Sequence, residues 1–176
     1  MRPWTRRSLL GLGFAAAALA VPRLGLAARG ERRIALVNLH TGERVTATYW
    51  SDGALVPEEL ARINAVMRDH RNDKVAAIDP RLIDDLRRLR EAVGGQDSFE
   101  LISGYRSPES NAALAARVEG VAENSFHVRG QAADIRLPGV DLLHLRRAAR
   151  SLNAGGVGYY PFSDFLHLDR GPVRFW

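Results

Sequence analysis

His127 and Asp134 lie seven residues apart in Ser125-Phe126-His127-Val128-Arg129-Gly130-Gln131-Ala132-Ala133-Asp134, and a second histidine, His167, follows in Asp164-Phe165-Leu166-His167-Leu168-Asp169. Two imidazoles and a carboxylate, with one coordination position left for water, are what a catalytic zinc ion requires. A spacing of seven is too long for adjacent turns of one helix and differs from the i, i+4 pair of helix-borne zinc sites. Both segments read as strands or strand edges, which would present the ligands from a sheet. Gly130, followed by the small Ala132 and Ala133, lets the chain fold back so that His127 and Asp134 converge. Strand alternation places His167 and Asp169 on one face and Leu166 and Leu168 on the other. Asp169 then either orients a ligand or is a solvated strand carboxylate. Arg106, in Ser103-Gly104-Tyr105-Arg106-Ser107-Pro108, is a candidate electrophilic partner for negative charge developing on a substrate oxygen, with a surface salt bridge as its plainer role. His40, His70 and His144 have no partner at ligand spacing.

The elements that must position these groups are readable in outline. Ile34 and Leu36, and the alternating Val45, Ala47 and Tyr49, flank Thr41-Gly42 as a hairpin. Pro57 opens a helix with Leu60, Ile63 and Met67 on one face. Asp79-Pro80 caps and starts a second helix with the stripe Leu82, Leu86, Leu89 and Val93, stopped at Gly94-Gly95. Phe99 to Ser103 reads as a strand that delivers Arg106 to a strand-to-helix junction; Ser107-Pro108 caps the next helix, which Gly120 ends. Asp141 caps a helix through Leu142, Leu145, Ala149 and Leu152, and a strand pair starts in Gly155-Gly156-Val157-Gly158-Tyr159-Tyr160 and reaches Trp176. Without the long apolar strands of a parallel sheet, the expected fold is α+β: one domain, a small antiparallel sheet flanked by helices, and the metal site on the sheet.

The combination Ser-x-His-x-x-Gly-x-Ala-x-Asp, with a carboxylate three residues before the last histidine, resembles the D-Ala-D-Ala peptidase family of zinc metallopeptidases. The Ser-Gly-Tyr-Arg-Ser-Pro-Glu segment, the Ser-Phe-His core and the closing Asp-Phe-Leu-His-Leu-Asp are most similar to its periplasmic murein endopeptidase branch. The resemblance runs from about Arg33 to Trp176. It implies zinc held by His127, Asp134 and His167, Asp164 as general base, Arg106 as the oxyanion or carboxylate donor, and the peptide part of peptidoglycan as substrate. Ser125 matches the family's motif serine, either bonding a ligand or substrate or capping a turn. Most of the wider family carries glutamate where Asp164 stands, one methylene longer. In an ideal strand Asp164 would face away from His167, so it is expected in a loop after Pro161, free to swing toward the metal.

Thr5-Arg6-Arg7-Ser8-Leu9-Leu10 reads as a twin-arginine export signal, followed by an apolar run from Leu9 to Ala20 and a small-residue cleavage region ending at Ala27. The expected division is 1–27 as signal and 28–176 as metallopeptidase domain, working in the periplasm without a stable membrane span once the signal is removed. The apolar run is short against the roughly 20 residues needed to span a bilayer. The chain has 25 basic and 20 acidic residues; four of the basic ones lie in residues 1–27, leaving 21 against 20. That near-neutral balance removes the main support for a nucleic-acid partner. The absence of cysteine excludes disulfides and thiolate ligands. Two other functions fit the same residues: a noncatalytic wall-binding module, and a small-peptide carboxypeptidase or dipeptidase. Oligomeric state is not legible.

Overall fold

The computed structural model of the chain describes Met1 and residues 30–118 and 121–176. Apart from Met1, the expected export segment lies outside the described residues, as does Gly120. The remaining expectations fall on ordered elements. The hairpin is β1 (Arg32–Asn38) and β2 (Arg44–Ser51), closed by Gly42 at φ +72°. A two-residue β3 (Ala54–Leu55) folds back antiparallel on the end of β2 and leads to α1 (Pro57–Val66). The Asp79 carboxylate accepts the Arg81 N–H at the start of α2 (Pro80–Ala92), satisfying one of the free N–H groups there. β4 (Phe99–Ser103) follows, then α3 (Pro108–Ala115), capped by Ser107. β5 (Ala132–Arg136), α4 (Leu142–Leu152), β6 (Gly156–Tyr160), β7 (Phe165–Asp169) and β8 (Arg174–Phe175) complete the chain.

The eight strands among the described residues form one sheet in the order β3-β2-β1-β4-β5-β7-β6-β8. It is mostly antiparallel, as expected of an α+β fold, but larger than expected and with two parallel contacts, β1 with β4 and β6 with β8. The β1–β4 contact joins strands separated by β2, β3, α1 and α2: the chain reverses at the β1–β2 hairpin, and the two helices bring it back to the other edge of β1 running in the β1 direction. One core cluster forms behind the sheet. Ile34, Leu36, Val45, Ala47 and Tyr49 point into it from the hairpin, Leu82, Leu86 and Leu89 from α2, and Leu145 and Ala149 from α4. Leu101, Ile135, Leu166 and Leu168 supply the inward side of the central strands, so their neighbours Asp134 and His167 fall on the other face.

Candidate metal centre

His127 is not on a strand, contrary to the reading from sequence. It sits in a single 3-10 turn, Phe126–Arg129, started by Ser125, whose hydroxyl accepts the His127 N–H at 3.3 Å. Ser125 therefore caps the turn. Gly130 ends it at φ +64°, a conformation costly for any residue with a Cβ, and a Cβ there would also collide with the Ala77 carbonyl. The fold-back expected of Gly130 thus rests on both backbone angle and space. β5 then carries Asp134 directly opposite His167 on β7.

The three side chains converge. Asp134 Oδ1 is 2.8 Å from His167 Nδ1 and 3.3 Å from His127 Nε2, and the two ring nitrogens are 3.2 Å apart. Their outer atoms fix the tautomers. His127 Nδ1 faces the Gly104 carbonyl at 2.7 Å, which can only accept, so Nδ1 carries the proton and Nε2 presents a lone pair. His167 Nε2 donates in the same way to Asp169 Oδ2 at 2.9 Å, leaving Nδ1 to face Asp134. Two lone pairs and a carboxylate oxygen therefore aim at one point, an arrangement that repels itself unless a cation or proton lies between. A tetrahedral ion with bonds of about 2.0 to 2.2 Å separates its ligands by about 3.3 to 3.6 Å. The observed spacing is slightly contracted from that, and the donor set fits a divalent metal such as zinc.

The electrostatics agree. Burial would raise Asp134, but the two imidazoles beside it win and hold its carboxyl well below the usual carboxylate range. Burial would lower His167, but bonds to Asp134 and Asp169 push it up to about 9, so without a metal a proton lies on the Nδ1–Asp134 line. Asp169 has a fully buried side chain. Burial would raise it, yet the hydrogen bonds from His167, Arg174 and the Gly171 N–H take it down to about 2. It is a partner of His167, held in turn by Arg174 at 2.7 Å, and not a solvated carboxylate.

Arg106 is brought to the same place by the β4-to-α3 junction. Its backbone N–H donates to the His127 carbonyl, and Nη2 is 3.9 Å from Asp134 Oδ2. Asn111 Oδ1 accepts from Nη1 at 3.3 Å, while Nε, although buried, has no partner among the described residues. Burial lowers the guanidinium pKa; the Asp134 carboxylate opposes it. The junction is clamped from below by the loop after α1. Tyr105 N–H donates to the Met67 carbonyl, Asp69 Oδ2 accepts the Ser107 N–H at 2.9 Å, and Gly104 lies too close to Met67 for any side chain.

A cleft of about 380 Å³ opens over this group, with Arg106, His127, Asp134 and His167 in its lining beside Tyr160 and Trp176. Asp164 is not drawn in with them. It follows a 3-10 turn at Pro161–Ser163 in a left-handed conformation, and its carboxylate is held by Arg136 Nη1 at 2.9 Å. Of the other histidines, His40 and His70 stack on each other, and His144 lies on α4; none joins the ligand set. Sequence reasoning missed the Gly104 carbonyl, Asp69 and Asn111. A carbonyl leaves no mark in a sequence, and the other two act through contacts made only on folding.

The fold and the site define an α+β domain built around a candidate metal centre. Residues 26–176 match the family described as peptidoglycan L,D-endopeptidase MepK, and the chain belongs to that family. It is 46% identical over 175 residues, 97% of this chain and 96% of the relative, to the peptidoglycan L,D-endopeptidase MepK of Escherichia coli (strain K12). The Shigella flexneri protein of the same description gives the same figures. The probable peptidoglycan L,D-endopeptidase MepK of Haemophilus influenzae is 40% identical over 140 residues, 79% of this chain and 75% of the relative.

Proposed function

We propose that this chain is a zinc-dependent peptidase of the periplasm that hydrolyses L,D amide bonds in peptidoglycan stem peptides or cross-links. The observation that carries the reading is the convergence of His127 Nε2, His167 Nδ1 and a carboxylate oxygen of Asp134, with each ring's outer nitrogen already engaged. Membership of a family described as peptidoglycan L,D-endopeptidase supports the substrate class and the bond. The paired arginines Arg6 and Arg7 ahead of an apolar run support export by the twin-arginine route, with residues 1–27 as the signal and 28–176 as the working domain.

Zinc, when bound, supplies Lewis acidity, which lowers the pKa of a water toward about 7 and polarises the scissile carbonyl. His127, Asp134 and His167 would hold it, and the Gly104 carbonyl and Asp169 keep the two rings in the tautomers that binding requires. Arg106 donates to the substrate carbonyl oxygen as negative charge collects there; its place in the cleft lining and its position beside Asp134 suit that task. Asp164 takes a proton from the attacking water and passes it to the leaving amine. To do so its carboxylate turns from Arg136 toward the cleft.

One observation favours a second reading, a noncatalytic wall-binding module: Asp164 is paired to Arg136 and stands outside the cleft lining. Digestion of purified sacculi by the zinc-loaded protein, with released muropeptides identified by mass spectrometry, separates the two. The enzyme reading expects products cut at L,D bonds, lost with a chelator and restored by zinc. No release from any sacculus by zinc-loaded protein supports the module, and loss of terminal D-alanine alone supports a carboxypeptidase.

A further inference from the structure

Trp176 does not belong to the ligand set, yet its position is tightly specified. Its backbone N–H donates to the Val157 carbonyl at 3.2 Å and its carbonyl accepts from Tyr159 at 3.0 Å, which stitches it to the edge of β6. The indole then lies on Gly158, where a Cβ would stand 2.7 Å from the ring. Gly158 is the register partner of His167 on β7, so the missing side chain is what allows an aromatic plate beside a metal ligand. The indole centroid is 5.4 Å from that of His167. Its Nε1–H donates to Tyr160 Oη at 2.9 Å, which satisfies the only polar atom of the ring, and Arg174 lies 4.9 Å from the ring centre. Despite these contacts Trp176 is 44% exposed, and it lines the cleft that contains the metal ligands.

A large apolar ring with a satisfied N–H, held still and left open to a polar cleft, is a surface for aliphatic groups. Its distance from His167 sets which groups. A scissile amide placed over His127, Asp134 and His167 leaves the ring within reach of the residue flanking that amide on one side, since one residue spans about 3.5 Å. We infer that Trp176 is a substrate-binding residue that packs against the aliphatic side chain of the stem-peptide residue flanking the scissile amide. The inference rests on the proposed peptidase reading for the identity of the ligand, and on the geometry of Trp176 for its place.

The chain has three tryptophans, Trp4, Trp50 and Trp176. In the full-length Trp4→Phe/Trp50→Phe protein, emission therefore reports Trp176 alone. Titration with purified cross-linked muropeptide dimers is expected to give a saturable change in that emission. In steady-state cleavage of the same dimers, Trp176→Ala is expected to raise KM about tenfold while kcat changes less than about twofold and zinc content holds; Trp176→Phe recovers most of the loss. Unchanged emission at saturating dimer, or an unchanged KM in Trp176→Ala, overturns the inference. So does loss of zinc with a fall confined to kcat, which would make Trp176 a support for His167. Saturable emission change without cleavage upholds Trp176 as a contact for the stem peptide and counts against the peptidase reading instead.

Discussion

Asp169 Oδ2 accepts the Nε2–H of His167, two residues away on the same face of β7, and this single bond decides which nitrogen of His167 faces the cleft. Arg174 and the Gly171 N–H hold the carboxylate from behind, so its orientation is built into the turn that follows the strand. Asp169→Asn keeps the shape but weakens the acceptor and allows the amide to meet the ring either way round. Zinc affinity is expected to fall about 10- to 100-fold, the usual effect of removing such a partner, measured by chelator competition. Affinity unchanged within about twofold would mean that the tautomer is set elsewhere.

Asp164 is assigned to proton transfer and not to the metal. Asp164→Asn should therefore keep its zinc while muropeptide release falls by roughly 10² to 10⁴, and Asp164→Glu should retain part of the activity. The buried Asp169 cannot stand in for it, because its oxygens are taken by His167, Arg174 and backbone N–H groups. Undiminished release by zinc-loaded Asp164→Asn would remove Asp164 from the reaction.

Export is expected to depend on the arginine pair. Changing Arg6 and Arg7 together to lysine should abolish periplasmic accumulation, followed by cell fractionation and blotting. Normal accumulation would assign the signal to the ordinary secretory route and leave the wall-directed reading intact.

Asp69 makes a prediction about acid stability. Burial would raise its carboxyl, but the Ser110 hydroxyl, the Ser107 and Arg71 N–H groups and the Ser107 hydroxyl hold it down to about 2, below its ordinary 3.8. The unfolded chain therefore binds more protons in that window, and the stabilisation is complete above about 3.8 and lost as pH falls toward about 2. Up to about 2 kcal/mol is at stake. Urea unfolding at about pH 5 and about pH 2.5 should show a steeper acid loss for wild type than for Asp69→Asn. Equal losses would show that Asp69 titrates normally in the folded protein.

Much of this site was legible because its residues obey simple periodicities. The alternation Leu166, His167, Leu168, Asp169 put both polar groups on one face, and β7 bears this out. Asp79, Ser107 and Asp141 cap the helices they were expected to cap. What escaped was set by tertiary contact. The segment around His127 has strand-like composition, yet the Ser125 cap and the Gly130 turn close it into a 3-10 turn held by the Asp79 N–H and the Gly104 carbonyl. The β1–β4 pairing was hidden because two helices separate the strands, and nothing local to Phe99 says which edge it joins. Arg136 was unremarkable in sequence, although folding places it against Asp164.

His127, Asp134 and His167 are assigned together to one catalytic zinc ion, and metal stoichiometry checks that assignment. Elemental analysis of purified wild type and of His127→Ala, Asp134→Ala and His167→Ala, each reconstituted with zinc and freed of excess by gel filtration, should give about one zinc per wild-type chain and less than about a tenth of that in each variant. Folding of each variant, followed by far-UV circular dichroism, separates ligand loss from collapse. Full zinc occupancy in all three folded variants, or none in the wild type, would contradict the account.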